Sequence, residues 1–199
     1  MNLIYSFLIQ HHFNMPTLYI IAGCNGAGKT TAAYHLLPDV FKAVEFVNAD
    51  EIAHGLSPLN PDGVAFQAGR IMLERLDYLV KQKVDIAFET TLSGLSYIKF
   101  IKMAKESGYD LVFFFVWLNT VELAKVRVAT RVAKGGHNIP QEVIERRYTK
   151  GILNFFKYAE VVDDWYMYNN SGDNYVLIAK SIVGVRQIYN FEVFNLINQ

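Results

Sequence analysis

The chain has 199 residues, with 19 lysines and arginines against 19 aspartates and glutamates, and a single cysteine. A neutral balance supplies no general attraction to nucleic acid or to an anionic membrane surface, and one cysteine excludes an internal disulfide and fits a reducing, cytoplasmic compartment. This length suits one well-buried domain better than two.

Residues 1–14, MNLIYSFLIQHHFN, hold a short apolar run with no Lys or Arg before it and no small-residue cleavage site after it, so they are not read as a signal peptide. The run is too short to span a bilayer. They are read as a disordered or upstream extension ahead of one domain over 15–199. Apolar, β-rich runs then alternate with helical patterns, which implies an α/β, three-layer αβα fold around a mainly parallel sheet. Five strands are expected: Leu18–Ala22, Val44–Asn48, Asp85–Glu89, Leu111–Leu118 and Trp165–Tyr168. Leu111–Leu118, LVFFFVWL, is apolar throughout rather than alternating, as a strand covered on both faces should be, and is expected at the centre of the core.

Between the strands, Val64, Ala68, Ile71, Met72, Leu76, Leu79 and Val80 recur at helical spacing after an Asn60 cap and Pro61. Further helices are expected over Leu95–Ser107, stopped by Gly108, and over Thr120–Lys134, stopped by Gly135-Gly136. Pro140 suits the start of another, in which Gly151 is a weak point of ~1 kcal/mol. NYVLIAKSIVG, after the turn-like NNSGDN, reads as a C-terminal strand beside Trp165–Tyr168, before a final helix near Gln187–Asn198.

Gly23-Cys-Asn-Gly-Ala-Gly28-Lys29-Thr30 satisfies the phosphate-loop pattern G-x-x-x-x-G-K-[ST] in the required context, strand before and helix after. A phosphate chain must come close to the backbone, which side chains would block, and its charge must be met by N–H donors. Gly26 and Gly28 are expected to clear that approach, Lys29 to reach the β- and γ-phosphates and Thr30 to ligate Mg²⁺ at the positive helix end. Cys24 is read as a filler residue.

Ligands of open α/β sheets bind beyond the carboxyl ends of the strands. The second strand delivers FVNADEIA, placing Asp50 there; it can accept a proton from an attacking hydroxyl and also cap a short helix from Glu51. The third ends in FETTLSG, bringing Glu89, Thr90 and Thr91, where an acid can hold Mg²⁺ or bind a substrate hydroxyl. KVRVATRVAKGGHNIPQEVIERRY gathers Arg127, Arg131, Lys134, His137, Arg146 and Arg147 on two helix ends around Gly135-Gly136. That arrangement describes a lid, at about 127–147, able to neutralise charge that develops during transfer. No N-K-x-D guanine reader is present, which weighs against a GTPase. Two rival readings stand beside an ATP-dependent small-molecule kinase: a kinase of another metabolite, and a nucleotide-switched binding module without transfer activity.

In their order, GCNGAGKTT, FVNADEIA, FETTLSG and RVAKGGHNIPQEVIERRYTKGILNF resemble the zeta toxin family of P-loop kinases, over about Leu18 to Ala179. The resemblance implies a fold similar to nucleoside-monophosphate kinases, ATP and Mg²⁺ as cofactors, and transfer to a sugar hydroxyl of UDP-N-acetylglucosamine or a related sugar nucleotide. A small antitoxin is the partner it implies; nucleic acid and membrane are not. By position it makes Lys29, Asp50 and Arg131 catalytic. Gly23, Asn25, Gly26, Ala27, Gly28, Lys29, Thr30 and Thr31, with Arg127 and Arg131, would hold the nucleotide. Thr30 and Glu89 would hold the metal, and Asp50, Glu89, Thr91, His137 and Arg147 would face the acceptor. His137 stands near a position where the better-studied toxins carry an arginine, so that either Arg127, Arg146 or Arg147 supplies that charge or the lid is built differently.

Overall fold

The structure is a computed structural model and describes residues 15–36, 45–136 and 138–198. In chain order its elements are β1 (Thr17–Ala22), α1 (Lys29–Leu36), β2 (Glu45–Val47), α2 (Ala49–Leu56), α3 (Ala65–Gln82), β3 (Ile86–Thr90), α4 (Ser96–Glu106) and β4 (Asp110–Trp117). There follow α5 (Val121–Ala133), α6 (Gln141–Ala159), β5 (Asp164–Asn169), β6 (Val176–Ile182), β7 (Val185–Ile188) and α7 (Phe191–Ile197).

The strands form one sheet in the order β2-β3-β1-β4-β5-β6-β7. The five expected strands are all present and mutually parallel, and β4, apolar from Leu111 to Trp117, stands in the middle of the sheet. Val44, expected in the second strand, lies outside the described residues. The sheet has seven strands: beyond the five parallel ones, the expected C-terminal strand is β6, antiparallel beside β5, and β7, which the sequence reading does not contain, pairs antiparallel with β6 at the edge. The connection 170–175 is too short for a parallel crossover, so β6 must return alongside β5.

Gln187 and Ile188 belong to β7, not to the last helix. Val183 and Gly184 both take positive φ, 47° and 77°, a two-residue turn whose twist matches a hairpin. The final helix therefore waits until Asn190, whose side chain caps it by accepting from Val193 N.

Alternation along the strands supplies both faces of the sheet. On one, Leu18, Ile20, Phe88, Phe113 and Phe115 pack against residues of α3, α4, α6 and α7. On the other, Tyr19, Ile21, Val112 and Phe114 meet Ala33 of α1, and Val116 meets Ala124 and Val128 of α5. Phe113 lies 5.4 Å from Phe155 and 6.3 Å from Tyr158 of α6 between ring centroids. Each such fully buried side chain contributes about 1.5–3 kcal/mol, so α6 is fixed to the middle strand before any polar contact is considered. Among the described residues no helix is long and apolar enough to cross a membrane.

Candidate functional site

The glycine loop joins β1 to α1 with its back against protein. Gly23 has φ +148°, and a Cβ there would sit 2.2 Å from the Val116 carbonyl oxygen. Gly28 has φ +93°, and its missing Cβ leaves room for Asn170 Nδ2 and the Tyr175 hydroxyl, 2.6 and 2.8 Å from where that carbon would be. Asn170 donates to the Ala27 carbonyl at 2.8 Å and Tyr175 to the Gly28 carbonyl at 2.8 Å. With those carbonyls tied down from behind, the loop's geometry is braced before any anion arrives. The glycines thus serve the fold's own packing, a reason the motif does not reveal. Cys24 is buried in the same wall, and burial pushes its thiol up to about 11 despite the nearby Lys29 charge. A thiol so desolvated is a packing residue.

Beneath the loop, Glu89 at the end of β3 is a hub. Its Oε1 lies 3.3 Å from Lys29 Nζ, its Oε2 accepts from Thr30 Oγ1 at 2.7 Å and from Asn48 Nδ2 at 3.2 Å. Lys29 also donates to the Cys24 carbonyl at 3.1 Å. Lys29 and Glu89 are both buried. Desolvating such a pair is costly and is offset only when the remaining lone pairs are satisfied, as the Thr30 and Asn48 donors do here. A hydroxyl and a carboxylate side by side at a phosphate loop form a hard-oxygen donor set of the kind Mg²⁺ takes, with phosphates and waters as its other ligands. Among the described residues no cluster of three or more His, Cys, Asp or Glu forms an all-protein metal cage.

Asn48, not Asp50, caps α2: its Oδ1 accepts from Asp50 N at 2.8 Å, and the helix begins at Ala49 rather than Glu51. Asp50 is therefore free of capping duty and stands exposed in the first turn. It lines a cleft of about 750 Å³ shared by Lys29, Glu89, Thr91, Arg131 and Arg147. Tyr97 lines it too; burial first, then the Asp50 charge, pushes its hydroxyl above the ordinary tyrosine range.

One face of α6 fastens both sides of this cleft. Arg147 Nη1 donates to Asn25 Oδ1 in the glycine loop at 3.1 Å. Asn154 donates to the Leu92 carbonyl at 2.7 Å and Tyr158 to the Gly94 carbonyl at 2.8 Å, both in the loop after β3. Between them Gly151 lets the helix approach so closely that a Cβ would be 2.9 Å from the Thr91 carbonyl oxygen. The weak point of the helix is thus where it passes close to the loop after β3. Leu92, fully buried, is held at φ +54°, a strained conformation for this residue, with its N–H on Thr90 Oγ1.

The structure brings most of the sequence-expected residues together. Asn25, Ala27, Gly28, Lys29 and Thr30 form the loop and helix start, while Thr31 is exposed on α1. Asp50, Glu89, Thr91, Arg131 and Arg147 share the cleft, as does Arg146. Arg127 is placed elsewhere: its Cβ sits beside Gly26 and its Nη2 donates to the Gly172 carbonyl at 3.5 Å, and it does not line the cleft. His137 lies outside the described residues. Asn48, Asn170, Tyr175 and Asn154 escaped the sequence reading. Only Asn48 carried a signal, standing inside FVNADEIA at a strand-to-helix junction.

A phosphate loop between β1 and α1, inserted in a parallel sheet at the point where the strand order reverses, defines a P-loop kinase-like fold. Residues 7–181 match the family described as Zeta toxin, and the chain belongs to that family. An uncharacterized protein of Haemophilus influenzae is 34% identical over 126 residues, which cover 63% of this chain and 88% of that protein. The fold is similar to a chain of the AvrRxo1-ORF1:-ORF2 complex with ATP, at a TM-score of 0.74 and 18% identity, covering 93% of this chain and 64% of that one. It is also similar to a chain of the PezAT chromosomal toxin-antitoxin system of Streptococcus pneumoniae, at a TM-score of 0.65 and 15% identity, covering 96% and 88%.

Proposed function

We propose that the chain is an ATP-dependent kinase of zeta toxin type, which transfers the γ-phosphoryl group to a hydroxyl of a small molecule, with UDP-N-acetylglucosamine or a related sugar nucleotide as first candidate. The observation that carries this reading is the pairing, across one cleft, of the Lys29–Thr30–Glu89 cluster with the exposed carboxylate of Asp50. The AvrRxo1-ORF1:-ORF2 complex, similar in fold, holds ATP. PezAT is a toxin-antitoxin system, which supports a small antitoxin as protein partner here.

In this reading the backbone of residues 23–31 cradles the phosphates and Lys29 leaves Glu89 to meet the β- and γ-phosphates. Thr30 and Glu89 are the residues that would hold Mg²⁺, which when bound supplies charge neutralisation at the phosphates. Asp50 accepts the proton of the acceptor hydroxyl as its oxygen bonds to the γ-phosphorus and the bond to the ADP oxygen breaks. Arg131, Arg146 and Arg147, on the segment read as a lid, steady the charge of the moving phosphoryl group. Arg127, beside Gly26 and outside the cleft, would flank the nucleotide away from its phosphates.

Incubating the chain with Mg·ATP and a panel of sugar nucleotides, with mass detection of any phosphorylated species, tests the reading directly. Asp50→Asn should leave ATP affinity within about twofold while transfer falls by roughly 10²–10⁴. Equal transfer by that variant removes Asp50 from the mechanism, and an inert UDP-N-acetylglucosamine removes that acceptor.

A further inference from the structure

We propose that Asn48 is a positioning residue that holds the Glu89 carboxylate in place for metal-dependent nucleotide binding, an inference that rests on the kinase reading above. Asn48 is buried between β2 and α2, with 8% of its surface exposed and both ends of its amide engaged. The oxygen accepts from Asp50 N at 2.8 Å; the nitrogen donates to Glu89 Oε2 at 3.2 Å. One side chain therefore links the residue read as base to the residue read as metal holder.

Helix capping alone does not call for asparagine. Serine, threonine or aspartate cap about as well, but none of them offers an N–H donor at the far end, and aspartate would set a second carboxylate against Glu89. The donor matters because of what the other two partners of Glu89 must do. Lys29 and Thr30 are the groups that phosphate and metal recruit, so nucleotide binding strips both from the carboxylate. Of the hydrogen bonds described for Glu89, only the one from Asn48 survives that exchange. Without it, the carboxylate follows Lys29 and opposes the incoming phosphate instead of staying where a cation is held.

Calorimetric titration of ATP into the full chain, with and without Mg²⁺, tests this. In the wild-type chain Mg²⁺ should tighten ATP binding. Asn48→Ser keeps an oxygen for Asp50 N–H and removes the amide donor. It should cut that Mg²⁺-dependent gain by about tenfold or more while metal-free ATP affinity stays within about threefold and the melting temperature is nearly unchanged. Asn48→Thr, which also caps, makes the same measurement if the serine variant does not fold. A gain unchanged by substitution overturns the proposal, as does an equal loss of affinity with and without metal, or failure of both capping variants to fold. Wild-type ATP binding with no gain from Mg²⁺ overturns this proposal alone. A wild-type chain that binds no ATP at all overturns the kinase reading first.

Discussion

The two walls of the cleft are built on opposite principles. On the phosphate wall every functional side chain has a protein partner: Lys29, Thr30, Asn48 and Glu89 satisfy one another, and Asn170 and Tyr175 brace the loop from behind. On the acceptor wall Asp50, Glu51 and His54 stand exposed, and Gly69 has no atom within 4 Å of where a Cβ would be. In the proposed reaction a polyphosphate would be met by a preformed, desolvated cluster whose hydrogen bonds are exchanged rather than created, whereas an acceptor would meet water-facing groups, so that preorganisation would be concentrated where the charge is greatest.

The sharpest way to break this contrast is Lys29→Ala. It leaves the buried Glu89 carboxylate without its cation, so stability should fall by about 3–5 kcal/mol and ATP affinity should collapse with it, unlike the Asp50 variant, which spares both. Chemical denaturation alongside ATP titration measures the pair, and equal stability of the two variants would dissolve the distinction. Gly23→Ala forces a Cβ toward the Val116 carbonyl at a φ that L residues avoid, and should cost about 3 kcal/mol, roughly 6–12 °C in Tm. The same substitution should change sign across the cleft. Gly151→Ala should destabilise by about 1–2 kcal/mol through the Thr91 carbonyl, while Gly69→Ala, in the open interior of α3, should stabilise by up to about 1 kcal/mol through helix propensity.

The smallest effect is with pH. Burial raises Cys24 to about 11 and Tyr148 and Tyr168 to about 12, so these groups stay neutral in the folded chain after the unfolded chain has begun to lose their protons. Their contribution to stability is flat through neutrality and is lost as pH rises from about 9 toward 12. Thermal melts across that range should show the decline, and a decline from these groups between pH 6 and 8 would contradict their burial.

The phosphate wall was legible because its chemistry is local. The glycine loop, Lys29 and Thr30 are neighbours in sequence, and Glu89 ends an apolar run. Strand positions were legible for a similar reason: β4 needs no partner to be recognised as apolar on both faces. What could not be read depends on distant contacts. Asn170 and Tyr175 reach a loop more than 140 residues earlier, Asn154 reaches Leu92, and nothing in their local pattern distinguishes them from solvent-facing amides and phenols. β6 is legible in NYVLIAKSIVG, but its hairpin partner β7 is not, because the turn is Val183-Gly184 rather than the Asn-Gly that announces such turns, and Gln187 and Ile188 pass for the start of a helix. Arg127 and Arg131, four residues apart, are grouped on one helix face, yet tertiary packing directs the first toward Gly172 and leaves the second in the cleft.

The stripe on α6 acts as a gauge. Arg147 grips the glycine loop and Tyr158 the loop after β3, and eleven residues at about 1.5 Å each place the two grips roughly 16 Å apart along one rigid helix. Adding or deleting one residue between the two grips, beside Thr149, would rotate one relative to the other by about 100° and leave either end engaged, never both.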